Sequence, residues 1–362
     1  MIWHSAKMNQ LTKRQGTYRR ISNALSCMSH AKLKQLLADG KVMHKGIGGT
    51  SSQIAVDDTP VFVKKVPITD LELQPENYMS TANIFNLPMC YHYGVGSAGF
   101  GVWRELAVNV MTTNSVITGQ CPNFPMMYHW RILPNHPGDF NIFNITAWDW
   151  DDIEKYCQYW ENSETIRSRA ENILNASTHV ALFFEYFPQN LDDWLSAQIA
   201  EGGDSAEQGI AFVDEQLKTI NKYMKAQDLM HLDAHFENIL TDGKQLYLMD
   251  FGFALSSRFD LTPVETAFLN QHDLYDQCFI ATHLVKGIIG SLFGKAHWEM
   301  RLREYLAGEL KHASAIMNAT INRYAPMALL MNDFFQKLRQ ESKLTPYPGR
   351  QVEKLLRQSQ RR

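Results

Sequence analysis

The stretch HLDAHFENILTDGKQLYLMDFG, residues 231–252, decides how the whole chain is interpreted. Within its first eight positions it has two histidines, two carboxylates and an asparagine. The runs ILT and QLYLM that follow are of the strand type, and Asp242-Gly243 between them is a two-residue hairpin signal. Because a hairpin brings its open ends together, we expect Asn238 and Asp250 to lie close in space. An amide oxygen and a carboxylate there, with Asp233 beside them, suit one hard divalent cation.

The alternation of His231, Asp233 and His235 raises a second interpretation, a site for a transition metal. Zinc sites need a third or fourth ligand and outer hydrogen-bond partners, and the chain has no His-rich or Cys-rich companion segment. The cysteines are odd in number, scattered and never arranged as CxxC, which disfavours both a zinc knuckle and a disulfide framework. They are Cys27, Cys90, Cys121, Cys157 and Cys278.

The composition is that of an ordinary globular protein. The chain has 362 residues, 45% of them hydrophobic, and a formal net charge of -3. This charge gives no global field that would favour nucleic acid or an anionic membrane as a partner. The basic N-terminus has no apolar signal region, and no apolar run approaches the length of a membrane span. We therefore expect a cytoplasmic protein in a reducing environment, with partners that must be found from its sites.

The distribution of strand-like and helix-like patterns along the chain predicts a small β-rich N-terminal lobe and a larger helical C-terminal lobe, which is an α+β organisation. Residues 1–40 are predicted to form a helical extension that ends at Asp39-Gly40. Five strands and one principal helix are predicted between residues 41 and 187, with insertions at about 67–101 and 134–178. Residues 188–362 are predicted to be mainly helical and to end in a basic tail. A cleft is expected where the two lobes join, near residue 187.

Two motifs in the opening stretch, taken together and in order, carry a family resemblance. The pattern HxDxxxxN, here His231, Asp233 and Asn238, is followed by Asp250-Phe251-Gly252. This combination resembles the catalytic core of the protein-kinase-like superfamily. The resemblance implies a bilobal kinase fold that uses ATP and Mg²⁺. It also implies that Asp233 orients or deprotonates an acceptor hydroxyl, while Asn238 and Asp250 hold magnesium against the ATP phosphates.

The resemblance further predicts a glycine-rich hairpin upstream, and HKGIGGTSSQIAV supplies one. The backbone of Gly46, Gly48 and Gly49 could approach phosphate oxygens, and Ser51 or Ser52 could add hydroxyl groups. A flexible hairpin turn without a ligand would use the same residues.

A lysine on a strand and a glutamate on a helix are also expected. VFVK resembles the strand motif VAIK, so Lys64 is predicted to bind the phosphates while Lys65 faces the other side of the strand. Glu105 in WRELAV is the predicted partner of Lys64. Glu72 and Glu76 are closer in sequence, but Pro75 interrupts the helix that they would need.

The run HVALFFEYFPQNLDDWL resembles the last strand of the first lobe, a hinge and the first helix of the second lobe. The backbone of Glu185, Tyr186 and Phe187 would then face the adenine ring. An ordinary buried strand followed by a capped helix fits the same residues.

Features around the motifs bear on the kind of kinase. HxDxHxxN, with His235 where Ser/Thr protein kinases usually carry lysine, resembles aminoglycoside and choline phosphotransferases. The span from Gly252 to Asp273 is short and lacks an APE motif, and Asp273 and Asp276 resemble the aspartates that follow the magnesium loop in this branch. The leading hypothesis is an ATP- and Mg²⁺-dependent phosphotransferase with a hydroxyl acceptor, a small molecule being slightly favoured. In it Asp233, Lys64, Glu105, His231 and His235 are catalytic.

Two alternatives remain open from the sequence. One is an atypical bacterial serine/threonine protein kinase, which would share the same chemistry. The other is a nucleotide-binding pseudokinase that acts as a scaffold, although a pure scaffold has no need of the set Lys64, Asp233, Asn238 and Asp250.

Overall fold

The computed structural model describes residues 2–135, 140–143, 150–310 and 314–359. Parts of the predicted insertion at 134–178, namely residues 136–139 and 144–149, lie outside these ranges, as do the last three residues of the basic tail. The described chain is a mixed α+β structure with a small antiparallel sheet and a large helical part.

The chain divides into two compact units. Most of the first unit is Met1–Tyr186, and most of the second is Phe187–Asp250 together with Pro263–Arg362. Between residues 251 and 262 the chain belongs to the two units in turn. Phe251–Ala254 and Phe259–Thr262 are part of the first unit, and Leu255–Arg258 is part of the second.

A five-stranded antiparallel sheet in the order β1-β2-β3-β5-β4 forms the centre of the first unit. Its strands Thr59–Ile68 and Thr178–Glu185 are rich in β-branched and aromatic residues, which pack well on a pleated surface. Asp57 and Asp58 join two of the strands with φ of 46° and 58°, the left-handed geometry that two-residue hairpins need. The strands are β1 Lys41–Gly46, β2 Gly49–Val56, β3 Thr59–Ile68, β4 Met127–Pro134 and β5 Thr178–Glu185.

Two N-terminal helices, α1 (Ile2–Ser26) and α2 (His30–Ala38), cover one face of this sheet. Residues 1–40, predicted as a helical extension that ends at Asp39-Gly40, form two helices in the structure. Residues 27–29 separate them. The Ser29 side chain accepts a hydrogen bond from the Lys32 amide and so caps α2. Ile21, Leu25, Leu33 and Leu37 are buried against Ile54, Val56, Val61 and Val63.

Helix α3 (Val102–Ile117) packs on the opposite face of the sheet, against Val66, Ile68, Val180 and Leu182. Glu72 fixes the beginning of this helix, because its carboxylate accepts the Val102 amide at 3.0 Å. A negative charge is favourable at that end of a helix. Arg169, on helix α5 (Glu164–Leu174), pairs with the same carboxylate at 2.9 Å, and both side chains are almost fully buried.

The predicted insertion at 67–101 contains one short 3-10 helix, Met89–Tyr93, and no α-helix, and its strand content is limited to the end of β3. Its chain is nevertheless well packed, with Phe85, Leu87, Tyr91, Tyr93 and Val95 buried. The later insertion contains helices α4 (Ile153–Tyr159) and α5 (Glu164–Leu174) within its described part.

The second unit is mainly helical. Helix α9 is its most buried helix and lies against α6, α7, α10 and α11. Asn190 caps α6, because its side chain accepts a hydrogen bond from the Asp193 amide. The helices are α6 Leu191–Glu201, α7 Gly203–Ala226, α8 Pro263–Gln271, α9 Tyr275–Phe293, α10 Trp298–Leu306, α11 Ala315–Gln340 and α12 Gly349–Ser359.

Short strands flank the motif residues of the second unit. β6 (Gln189–Asn190), β8 (Ile239–Thr241) and β9 (Leu246–Leu248) form one sheet, while β7 (Leu229–Met230) pairs with β10 (Leu255–Ser256). The prediction of a two-residue turn between β8 and β9 is wrong, because Thr241 pairs with Leu246 and four residues separate them. The Asp242 carboxylate organises this longer turn by accepting the Lys244 and Gln245 amides.

Within the described residues, no single helix has both the length and the apolar character of a membrane span. Helices α9 and α10 meet such a test only when they are taken together, and they are bent by 86° relative to each other.

Candidate active site

The backbone of the loop at residues 231–235 is fixed by a buried carboxylate on α9. The amides of His231 and Leu232 donate to the two oxygens of Asp276 at 2.7 and 2.8 Å. Burial raises the pKa of Asp276 to about 6, although both amide hydrogen bonds oppose this shift. The group is therefore ionised at neutral pH and can accept both bonds. Leu232 has a φ of 66°, a costly conformation for a leucine that these bonds help to maintain.

His231 is fully buried, and both of its ring nitrogens have partners within the unit. Nε2 lies 2.9 Å from the Met249 carbonyl oxygen, which can only accept, so Nε2 carries the proton. Nδ1 then accepts the Asp233 amide at 3.2 Å. The sequence predicts a catalytic role for His231, but its contacts are those of a residue that positions Asp233 from beneath the loop.

Asp233 and Asn238 are in direct contact. The Asn238 amide nitrogen, Nδ2, lies 3.0 Å from the Asp233 carbonyl and 3.2 Å from its Oδ2. Both of these oxygens are acceptors, so the amide must turn its NH₂ group towards Asp233. This leaves the Asn238 Oδ1 directed away from Asp233 and suited to a cation.

The two ends of the β8-β9 hairpin meet, as the opening motif predicts. The Met249 amide donates to the Asn238 carbonyl at 3.0 Å, which brings the residue before Asp250 against the metal-ligand candidate Asn238. Asp250 itself has a φ of 66°, in the left-handed region. An amide oxygen and a carboxylate are ligands that fit Mg²⁺. No group of three or more His, Cys, Asp or Glu side chains able to hold a metal occurs among the described residues.

His235 lies next to the proposed base, with Nε2 3.7 Å from the Asp233 Oδ2. Burial lowers the pKa of His235, against the opposing effect of the Glu237 and Asp250 carboxylates. The ring is consequently neutral at pH 7. Its other neighbour is His283 on α9, with ring centroids 6.1 Å apart. Sequence reasoning did not identify His283, because it is 48 positions away from His235 and stands in a run with no motif.

Lys64 and Glu105 form a salt bridge inside the first unit, with Nζ 2.8 Å from Oε1 and side chains only 10% and 4% exposed. The alternation of β3 explains this choice of lysine. Lys64 shares a face with Val66 and Ile68, against which α3 packs, while Lys65 shares the other face with Val61 and Val63. The structure thus brings the predicted pair together across 41 positions of sequence.

The glycine-rich turn joins β1 to β2 as predicted, but its residues are not equivalent. A Cβ on Gly49 would lie 2.1 Å from the Lys65 carbonyl, so close packing against β3 already requires a glycine there. A Cβ on Gly48 would meet nothing within 4 Å. Ser51 lies opposite Lys64 in the strand register, whereas Ser52 lies opposite Val63 and is 6% exposed. The prediction that Ser52 adds a phosphate ligand is therefore corrected, because its side chain is on the face covered by α1 and α2.

The predicted hinge residues have roles within their own units. The Glu185 amide donates to the Met126 carbonyl, and the Glu185 carboxylate accepts two hydrogen bonds from Arg14 at 2.9 and 2.8 Å. The Glu185 amide is therefore already used within the first unit. Phe187, in the second unit, stacks on Tyr247 with ring centroids 3.7 Å apart. Tyr186, at the end of the first unit, is half-buried.

No family model and no curated protein matches the chain. Each unit holds a preorganised polar set, one with a buried lysine and glutamate, the other with a carboxylate, an amide and a second carboxylate around a hairpin.

Proposed function

We propose that the protein is an ATP- and Mg²⁺-dependent phosphotransferase that transfers the γ-phosphoryl group of ATP to a hydroxyl acceptor. In this proposal the first and second units correspond to the β-rich lobe and the helical lobe of a protein-kinase-like fold. A small-molecule acceptor is slightly favoured, because HxDxHxxN resembles the aminoglycoside and choline phosphotransferases and the span after Gly252 is short.

The observation that carries the proposal is the linked set Asp233, Asn238 and Asp250. One hydrogen bond joins Asn238 to the Asp233 carboxylate, and another closes the hairpin directly before Asp250. The loop below them is fixed by Asp276 and His231. Preorganisation of this kind is what phosphoryl transfer needs, since the protein contributes mainly positioning and electrostatic stabilisation.

Each residue of the set has a definite task in the proposed reaction. Asp233 accepts the proton of the acceptor hydroxyl while the hydroxyl oxygen attacks the γ-phosphorus. The bond between the γ-phosphorus and the bridging oxygen breaks, and ADP leaves with that oxygen. His235 stays neutral and adds no positive charge beside this base. Asn238 and Asp250 would hold Mg²⁺, which neutralises charge on the phosphates when bound. Lys64, oriented by Glu105, would bind the α- and β-phosphates.

The decisive experiment incubates the protein with ATP labelled at the γ-phosphate, Mg²⁺ and cell extract. We expect label to enter a soluble metabolite. Label in the protein itself or in extract proteins would instead favour the serine/threonine kinase alternative, and mass spectrometry would locate the modified residue.

Asp233→Asn is the matched variant for this experiment, because it keeps the size of the side chain and removes its basicity. It should abolish label transfer while nucleotide binding stays nearly unchanged. Transfer at the wild-type rate would reject Asp233 as the base. Nucleotide binding by the wild type without any transfer would favour the scaffold alternative.

A further inference from the structure

The segment at residues 67–101, for which the sequence suggests no purpose, contacts the chain that follows the proposed metal ligand Asp250. We call residues 67–101 the holding segment. Its contacts are with Phe251–Ala254 and Phe259–Thr262, which belong to the same unit. These contacts involve both backbone and side-chain atoms. One set lies near the beginning of residues 251–262 and the other near the end.

The first set of contacts involves residues 251–253. His92 is fully buried, stacks on Phe100 with centroids 3.7 Å apart, and places Nδ1 3.0 Å from the Phe253 carbonyl oxygen. Because a carbonyl only accepts, Nδ1 must donate. Gly99 lies close to the carbonyl of Gly252, the residue before Phe253. A Cβ on Gly99 would be 2.8 Å from that carbonyl oxygen. Any side chain at position 99 would therefore collide with backbone that cannot rotate away.

The second set of contacts lies at residues 259–260. The Asp260 amide donates to the Thr81 hydroxyl at 2.9 Å. The Thr81 carbonyl in turn accepts the Arg104 Nε at 2.7 Å, and the Arg104 guanidinium lies 5.4 Å from the Phe259 ring. Arg104 belongs to α3, which also carries Glu105.

The holding segment is itself rigidly attached to the first unit. The Asn83 side chain donates to the Leu87 carbonyl at 2.8 Å and accepts the Leu87 amide at 2.9 Å, which closes a local loop. Glu72 anchors the beginning of the segment through the α3 amide of Val102 and through Arg169. A loop fixed at this many points can impose a conformation on what it touches.

We propose that the holding segment keeps residues 251–260 in one conformation and that it thereby sets the Mg²⁺ affinity at Asp250. This inference rests on the proposed function for its second part only. His92, Gly99 and Thr81 are positioning residues, because they contact the chain beyond the metal ligand and not the reacting atoms.

The test compares two glycine-to-alanine variants of the same unit. Gly99 has a φ of 77° and Gly119 a φ of 74°, so alanine imposes similar backbone strain at both positions. Only Gly99→Ala collides with another backbone segment, since the nearest atom to a Cβ on Gly119 is a leucine methyl at 3.7 Å. Hydrogen exchange of the peptides that cover residues 250–262 is measured by mass spectrometry for the wild type and both variants.

We expect Gly99→Ala to speed exchange in these peptides by about tenfold, with Gly119→Ala close to the wild type there. The Mg²⁺ concentration for half-maximal ATP binding should rise several-fold in Gly99→Ala alone. If Gly99→Ala does not fold, His92→Phe replaces it in both measurements. This variant keeps the ring stacked on Phe100 and removes the hydrogen-bond donor to the Phe253 carbonyl.

Unchanged exchange in both Gly99→Ala and His92→Phe would overturn the proposal, as would equal acceleration in Gly119→Ala. Faster exchange without any change in Mg²⁺ dependence would overturn its second part. If the wild type binds no Mg²⁺-ATP at all, the proposed function fails, while the exchange result still decides whether the holding segment fixes residues 251–260.

Discussion

Lys64 and Glu105 illustrate at the scale of single residues how burial determines the value of a charge pair. Both side chains are nearly inaccessible to solvent, so neither charge is well hydrated without the other. Removing one partner of such a pair leaves an uncompensated charge in the interior, which costs far more than the pair itself contributes.

We therefore expect Lys64→Met to have two effects. Turnover should fall about 100-fold, because a preorganised phosphate contact is lost. The free energy of unfolding should fall by about 3–5 kcal/mol, because Glu105 remains buried and unpaired. Initial-rate kinetics and denaturant unfolding measure the two effects separately.

Lys65→Met is the matched control, since the same change is made on the other face of the same strand. It should leave turnover close to the wild type. Adding Glu105→Leu to Lys64→Met should recover most of the lost stability but none of the turnover. If Lys65→Met proves the more damaging to turnover, the phosphate lysine has been assigned to the wrong residue.

Helix α5 shows at the element scale how neighbouring arginines can differ in importance. Arg169 is 2% exposed, bonded to the buried Glu72 carboxylate, and lies 4.9 Å from the Phe85 ring. Arg167, two positions earlier, is 26% exposed and pairs with Glu154, which is 65% exposed. Exposed pairs contribute little, because water already solvates both charges.

Arg169→Met is expected to lower the free energy of unfolding by about 3–5 kcal/mol, because the Glu72 carboxylate would remain buried without its positively charged partner. Arg167→Met, the same change on the same helix, should have no comparable effect. Denaturant unfolding of both variants measures the difference. Glu72→Gln added to Arg169→Met should restore part of the loss, and equal losses in the two single variants would contradict this account.

The sequence predicted the elements whose information is local. The alternation of β3 indicated which lysine faces α3, and two short apolar runs indicated the β8-β9 hairpin. The length of the hairpin turn was mispredicted, because the Asp242-Gly243 signal does not show that the Asp242 side chain will hold two further residues.

Contacts between distant parts of the chain could not be predicted in this way. Nothing near Arg14 indicates Glu185, and nothing near His92 indicates Phe253, since these partners are 171 and 161 positions apart. Such pairs depend on tertiary packing that has no periodic pattern. The holding segment was for this reason recognised only as an irregular insertion.

At the scale of the whole molecule, ligand binding is expected to raise thermal stability through mass action. A ligand that binds only the folded state stabilises it by about 2.7 kcal/mol at 100 times its Kd. The proposed function predicts that ATP has this effect only when Mg²⁺ is present.

Asp250→Ala should abolish the Mg²⁺-dependent increase in Tm on addition of ATP, because it removes a carboxylate that would hold the ion. Differential scanning fluorimetry with ATP, with and without Mg²⁺, measures this. Asp273→Ala is the control, since the Asp273 carboxylate is exposed and pairs with Lys225. An undiminished Mg²⁺-dependent shift in Asp250→Ala would exclude Asp250 as a ligand.

The salt bridge between Arg14 and Glu185 also has a consequence for biosynthesis. Helix α1 is synthesised before the sheet that it covers, and the carboxylate that its arginine binds is made 171 residues later. At ordinary translation speeds this interval is roughly 10 to 30 seconds. During that time the apolar side of α1, with Ile21 and Leu25, has no complete sheet to cover it. Until the fifth strand has emerged, these apolar side chains remain exposed, and transiently exposed hydrophobic surface of this kind makes a folding chain prone to aggregation.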